Sequence, residues 1–224
     1  IHLVLLEGEG AMTEHTRNNW FDEDYYCNGL ATGKSNYLDY RWLPDKTVPM
    51  AESIVSYLAM TPGSTVLDFG CSRGYLVKAL RMIGMDAYGM DTSKWAITNC
   101  DVKVRGYVSN TFNSLAYDYV IGKDVAEHIS YVELQRIMKF LLSKTNKSLF
   151  LVVPLAWNDG GEYACPRDEK DPSHAIRWTL ASWIDFLRDQ DNDFVTNGSF
   201  FIPGVKDAAI PWRRSCGFLT CKRI

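Results

Sequence analysis

The segment VLDFGCSRGYLVKALRMIGMDAYGMD, residues 66–91, restricts the possible folds of this 224-residue chain more than any other stretch. A short apolar run ends in an acid, and a turn of small residues follows. A helical pattern then leads to a second apolar run, again ended by an acid. A strand, tight turn, helix and strand in this order form a crossover unit, since neighbouring parallel strands need a helix-length return. Strands that are apolar on both sides are covered by helices on both faces.

The same rhythm runs along the rest of the chain. VPMAESIVSYLAM, residues 48–60, places Met50, Ile54 and Leu58 at helical spacing, and TPGS stops it. TVLDF is the first strand, YLVKALRMIG a helix that Gly84 closes as a C-cap, and DAYGM the second strand. TSKWAITNC opens with a Thr/Ser cap and reads as a short helix. VKVRGYV is a weaker strand and YDYVIG a better one. YVELQRIMKFLLSKT carries a helical stripe through Val132, Ile137, Phe140 and Leu141, and SLFLVVP is a buried strand. After the helix TLASWIDFLRDQ, the strand candidates DFVTNGSFFI and RRSCGFLTCKRI are joined without a helix, which predicts an antiparallel pair. The expectation is an α/β protein with seven strands, mostly parallel, helices on both faces and a C-terminal antiparallel pair.

Length and charge narrow the function. At 224 residues the chain fits one domain with a substantial core. A formal charge of -3 and the absence of a long Lys/Arg cluster disfavour a nucleic-acid partner. The six cysteines form no CxxC pair and read as reduced, packed thiols. The opening IHLVLLEGEGAM has too short an apolar run for a signal peptide or membrane span, so a cytoplasmic protein without membrane association is expected. Residues 1–12 read as an extension, residues 13–46 as an aromatic leader or lid, and residues 47–224 as the domain. Within it lies a long functional loop at about residues 154–178.

In an open parallel sheet, ligands sit beyond the carboxyl ends of the strands. Gly70, Ser72 and Gly74 lie there, where small residues let a ligand approach the backbone. Asp91 follows Gly74 by 17 residues, which suits a carboxylate accepting hydrogen bonds from a ribose diol. The plain alternative is that Asp68 and Asp91 cap turns at strand ends. A dinucleotide loop would want Gly at its first, third and sixth positions; Ser72 and Tyr75 occupy two of these.

What VLDFGCSRG and AYGMD do resemble is the first and second motifs of the class I S-adenosylmethionine-dependent methyltransferases. YDYVIGKDVAEHI is similar to the fourth-strand segment of their small-molecule branch, and DPSHAIRWTLASWIDFL to the segment after its fifth strand. The resemblance spans roughly residues 48–224. WFDEDYYCNGLATGKSNYLDYRWLP also resembles a leader of some members, including ones linked to sugar or polyketide modification. A Rossmann-like fold, S-adenosylmethionine as cofactor, S-adenosylhomocysteine as product and a small-molecule acceptor are thereby implied.

The resemblance also implies roles. Gly70, Cys71 and Gly74 would line the amino-acid end of the cofactor, with Ser72 in place of the usual middle Gly. Asp68 would orient that loop or the ammonium, Asp91 would bind the ribose, and Thr92 and Ser93 would flank the adenosine. Ser109 and Asn110 are placed at the adenine, where an acid is often found. Lys123 would touch the cofactor through its backbone, and Tyr37 and Arg41 are the leader residues expected nearest the cofactor or acceptor.

For the chemistry, His128 and His174 are the candidate bases, because a hydroxyl is a poor nucleophile until it loses its proton. Otherwise each shapes the pocket. Asp124 reads equally as an N-cap and Glu127 as a first-turn acid. No HxxxH or paired-acid spacing is present, so no metal site is expected. The aromatic set Trp20, Phe21, Tyr25, Tyr26, Tyr37, Tyr40 and Trp42 reads as a latch between leader and sheet. With an acidic balance and no Asn-Pro-Pro-Tyr-like segment after the fourth strand, a polynucleotide or protein methyltransferase ranks below a small-molecule one, as does a non-catalytic scaffold; a basic groove beside the cofactor pocket would favour the former.

Overall fold

A computed structural model of the chain describes residues 20–113, 115–206 and 214–224. The expected extension, the start of the leader with His2 and His15, and part of the loop before the last strand lie outside the described residues.

Seven strands form one sheet: β1 (Thr65–Phe69), β2 (Asp86–Met90), β3 (Val108–Ser109), β4 (Tyr117–Lys123), β5 (Thr145–Pro154), β6 (Phe194–Ser199) and β7 (Cys216–Arg223). Their order is β3-β2-β1-β4-β5-β7-β6. The pairs β1/β2, β1/β4, β2/β3 and β4/β5 are parallel. β7 runs antiparallel between β5 and β6, so the expected terminal pair is present and its second strand is the inserted one. Chain order reverses direction at β1, leaving a crevice beyond β1 and β4 where ligands of such sheets bind.

Seven α-helices surround this sheet among the described residues: α1 (Glu23–Cys27), α2 (Gly29–Thr32), α3 (Pro44–Tyr57), α4 (Tyr75–Met82), α5 (Lys94–Thr98), α6 (Tyr131–Ser143) and α7 (Leu180–Arg188). Alternation along the strands gives each sheet face its own core. Leu67, Phe69, Val120, Leu149 and Leu151 pack with Leu134, Met138 and Leu141 of α6 and Trp183 and Phe186 of α7. Val66, Ala87, Ile121, Phe150 and Val152 pack with Ala51 and Ile54 of α3 and Val77 and Leu80 of α4. Burial on both faces explains why β5 is a continuous apolar run.

Three details differ from the sequence expectation. α3 begins at Pro44, which is suited to a first helical turn by its fixed φ and missing donor. VKVRGYV is mostly turn: its first three residues form a 3-10 turn (Val102–Val104), and only Val108 enters the two-residue strand β3. The core stripe of α6 is Leu134, Met138, Leu141 and Leu142, whereas Val132 is exposed. The six cysteines are all unpaired, as expected. Among the described residues, no helix is long and apolar enough to cross a membrane.

Candidate active site

The turn between β1 and α4 folds back onto β2. The N–H groups of Gly70 and Cys71 both donate to the Met90 carbonyl, at 2.8 and 3.1 Å. This return requires a glycine in β2, because a Cβ on Gly89 would lie 2.6 Å from Cys71 Sγ. Gly70 has φ +79, and a Cβ there would sit 2.4 Å from Val125, which wedges the turn against the segment after β4. Ser72 adopts φ 49 without being glycine. The position thus favours the family's Gly by about 1 kcal/mol, which is the strain of a left-handed L-residue.

Asp91 joins the turn to the next helix. Its Oδ2 accepts from Ser72 N–H at 2.7 Å and its Oδ1 from Ser93 N–H at 2.8 Å. Each oxygen retains a lone pair for a further donor. Asp68 is 3% exposed. Burial, and then the Asp91 charge, push its carboxyl up to about 7, with Lys123 pulling partly the other way. The Ser72 hydroxyl is buried with no well-formed hydrogen bond. A buried acid of raised pKa beside a backbone cradle fits a ligand bearing an ammonium and hydroxyls.

Other predicted contacts are placed differently. Ser93 is buried and already committed: its Oγ accepts from Ala96 N–H to cap α5 and donates to the Phe21 carbonyl. Thr92 and Asn110 are exposed. The Ser109 carbonyl accepts from Asp91 N–H at 3.1 Å, while its hydroxyl meets Thr111. Arg41 lies on the surface, pairing with Asp39 at 3.0 Å. Arg73 of the turn reaches the leader instead, its Nη1 donating to the Tyr40 carbonyl at 3.1 Å.

The leader lies across the carboxyl ends of the strands, with its aromatic set turned inward as the latch reading anticipates. Tyr26 stacks on Trp95, Tyr40 tilts against Tyr75, and Tyr37 meets both leader tyrosines. The hydroxyls of Tyr26 and Tyr40 both approach the Ser72 side chain, within reach of the Asp91 and Asp68 charges respectively. Burial raises the pKa of both phenols and of Tyr37. Tyr25 donates from its hydroxyl to Asp171 at 2.8 Å, fastening the leader to the long loop after β5.

Beyond β4 lies a second group of polar side chains. Asp124, at φ 53, is no helix cap but pairs with Lys123 and, at 2.7 Å, with Lys206. These two ammonium groups hold its carboxyl below the usual range in spite of burial, and Lys206 is held up in return. Glu127 is 1% exposed, not a solvated first-turn acid. Its carbonyl accepts from the N–H groups of Ala175 and Ile176 at 2.7 and 3.1 Å, pinning the long loop alongside. That pinning brings the His174 ring to 4.7 Å from the His128 ring.

His128 Nδ1 contacts Ser173 Oγ at 2.8 Å, and Ser173 donates to Asp171. Since the serine proton goes to the acid, Nδ1 carries the imidazole proton and Nε2 carries the lone pair. Burial, followed by the neighbouring His174, pushes His128 down to about 4, and burial lowers His174 too. Glu127, by contrast, is raised by burial and by Asp124. Lys206, Asp171, Ser173 and the tautomer they impose were not foreseen. Asp171 and Ser173 sit in the DPSH segment itself, whereas Lys206 carries no local signal.

The strand order and the acid-flanked turn define the class I methyltransferase fold. Residues 46–201 match the profile of the family described as methyltransferase domain, and the chain belongs to that family. It is an S-adenosylmethionine-dependent methyltransferase. Among solved structures, it is similar to magnesium protoporphyrin IX methyltransferase from Synechocystis PCC 6803 with bound SAM. Identity there is 18%, coverage 97% of this chain and 100% of that one, and the TM-score 0.61. The plantazolicin methyltransferase BpumL is 17% identical, with 94% and 95% covered and a TM-score of 0.62. A putative methyltransferase in complex with the Haloferax volcanii Trm112 activator is 16% identical, with 80% and 90% covered and a TM-score of 0.59. No curated protein sequence matches the chain.

One consequence of the Asp68 environment is measurable without any acceptor. A carboxyl whose folded pKa exceeds its unfolded value makes the native state bind more protons between about pH 4 and 7, so stability falls as pH rises through that window. A rise of about three units corresponds to at most about 4 kcal/mol. Asp68→Asn is therefore expected to melt above the wild type at pH 8 without cofactor, with the advantage much smaller at pH 5 and gone only near pH 4. Its affinity for S-adenosylmethionine should drop at least about tenfold if Asp68 is the charged partner of the ammonium, the role that the resemblance implies. Calorimetric melts and titrations at both pH values check this; a variant less stable at pH 8 would refute it.

Proposed function

We propose that this chain methylates an oxygen of a small hydroxylated acceptor, on a sugar or natural-product scaffold, bound beneath the leader and the loop of residues 154–178. The observation that carries this reading is the pair of imidazoles at the end of β4, with His128 Nε2 presenting a lone pair. Support also comes from two of the similar structures, which are named for protoporphyrin and plantazolicin as their acceptors.

When bound, the sulfonium cofactor supplies an activated methyl carbon. The backbone of Gly70, Cys71 and Gly74 would hold its amino-acid end, Asp68 its ammonium and Asp91 its ribose. The Ser109 segment would border the adenine, and the backbone of Lys123 would touch the cofactor while its side chain pairs with Asp124. The leader's task is to exclude water and align the acceptor, which matters because alignment supplies much of the barrier reduction in a displacement of this kind. Tyr25 and Asp171 close the leader onto the loop, and Phe21 and Tyr25 set their rings edge-on to His128. His128 or His174 takes the acceptor's proton as the oxygen attacks.

Transfer of an isotopically labelled methyl group to a panel of hydroxylated small molecules, RNA and protein tests the proposal. Label in a small hydroxylated molecule is expected. Label confined to RNA or protein would favour the rival enzyme class, and cofactor binding with no transfer a scaffold. The pH profile gives a second check. An unperturbed imidazole would switch activity off near pH 6.5. With His128 held down to about 4, kcat at saturating cofactor and acceptor is expected to stay level from pH 8 to about 5 and fall only below that. A limb near 6.5 would remove His128 as the base.

A further inference from the structure

Glu127, His128 and His174 converge although no spacing in the sequence announces them. One ligand atom from each lies within 4.8 Å of the others. Two of those residues carry buried polar atoms with no hydrogen bond, Oε2 of Glu127 and Nδ1 of His174. A buried carboxyl oxygen without a hydrogen bond costs free energy whether the group is charged or protonated, so a further partner at this point is the economical explanation. The third residue is prepared in the manner of a metal-binding histidine: His128 is oriented through Nδ1 by Ser173, which donates to Asp171, itself also the acceptor of the Tyr25 hydroxyl. A hydrogen-bonded chain of this kind fixes the ring and leaves Nε2 free to ligate.

We propose that Glu127, His128 and His174 bind one divalent first-row transition ion, of which zinc is the reference case. Two imidazoles and one carboxylate leave a coordination position open, as in catalytic rather than closed structural sites. Zinc takes such ligands at about 2.0–2.2 Å, so the three atoms must draw in to about 3.4 Å of one another. The His174 ring, partly exposed on the pinned loop, is the group able to move. Asp124, Asp168 and Asp171 surround the cluster against Lys123 and Lys206, a balance that suits a cation. An open position facing the acceptor site would accommodate a hydroxyl oxygen. A ring that ligates the ion is not at the same moment a proton acceptor, so the metal-bound and proton-accepting states of these histidines exclude one another, and the affinity for the ion stands whether or not methyl transfer follows.

The test uses the full chain, freed of metal by a chelator, with equilibrium dialysis against Zn2+ and the visible spectrum of the Co2+ form. One equivalent of zinc is expected to bind, with affinity at least about tenfold lower in both Glu127→Gln and His174→Ala. A loss of about 10–100-fold is expected in Ser173→Ala, which touches no metal. The Co2+ form should show visible bands without the near-ultraviolet absorption of a thiolate ligand, which separates this site from the six cysteines. Circular dichroism identifies any variant that has not folded, and the wild-type spectrum needs no variant. Zinc binding unchanged in Glu127→Gln and His174→Ala, a thiolate spectrum, or no bound zinc at all would overturn the proposal.

Discussion

Replacing Asp91 by alanine is expected to weaken S-adenosylmethionine binding at least about 100-fold, since hydrogen bonds to a charged group contribute about 1.5–3 kcal/mol each and a ribose diol makes two. The effect has a second source. Asp91 now holds the Ser72 and Ser93 N–H groups at 2.7 and 2.8 Å, and alanine leaves both donors buried without an acceptor. The turn would keep its Gly70 and Cys71 bonds to the Met90 carbonyl but lose the tie at Ser72. Asp91→Asn separates the contributions: it keeps an oxygen for one N–H but removes the charge, so affinity should fall between wild type and alanine. Titration calorimetry on both variants checks this, and an alanine variant within threefold of wild type would sink the ribose assignment.

The other large effect is expected at Asp124. Its carboxylate lies between Lys123 and Lys206, so Asp124→Ala leaves two cations facing each other beside the active site. Breaking a fully buried pair costs about 3–5 kcal/mol, but the side chains here remain about a quarter to a third exposed, and solvent screens part of that. A loss of about 2 kcal/mol is expected, corresponding to a drop in Tm of roughly 4–8 °C for a chain of this size. The sign with pH follows from the lowered folded pKa of Asp124: its stabilisation is present above its unfolded value near 4 and fades as pH falls through its folded value. The difference between wild type and variant should therefore be full at pH 7 and shrink in strong acid. A uniform difference across pH would show that the loss comes from the left-handed backbone at φ 53 instead.

The parts of this fold legible in the sequence are those specified locally. The turn after β1 is readable because Gly70, Ser72 and Gly74 meet a backbone demand within five residues, and β5 because burial on both faces leaves one unbroken apolar run. The face of α6 was less legible. Val132 and Leu134 both begin plausible helical stripes, and only the position of the sheet selects Leu134, Met138, Leu141 and Leu142. β3 shrinks to two residues because it is an edge strand beyond β2, with little pairing to extend it.

For the site, the acids at the ends of β1 and β2 were visible, as were His128 and His174 as separate candidates. Their meeting was not, since it depends on β4 and β5 lying side by side and on the Glu127 carbonyl pinning the loop. Lys206 was hidden for a similar reason: it follows β6 at the far edge of the sheet, and the loop leading to the inserted β7 carries it back to Asp124. Arg41 misled because proximity in sequence to α3 does not fix a side chain's direction, and it pairs with Asp39 in solvent.

The central claim is that the acid-flanked turn holds the methyl donor with its reactive end toward the histidine pair. A crystal structure with S-adenosylhomocysteine bound tests this most directly. The expected result is a ribose diol within hydrogen-bond distance of Asp91, the ammonium beside Asp68, and the sulfur facing the side of the site where His128 and His174 stand. A ribose bound away from Asp91, or a sulfur turned from the histidines, would contradict it.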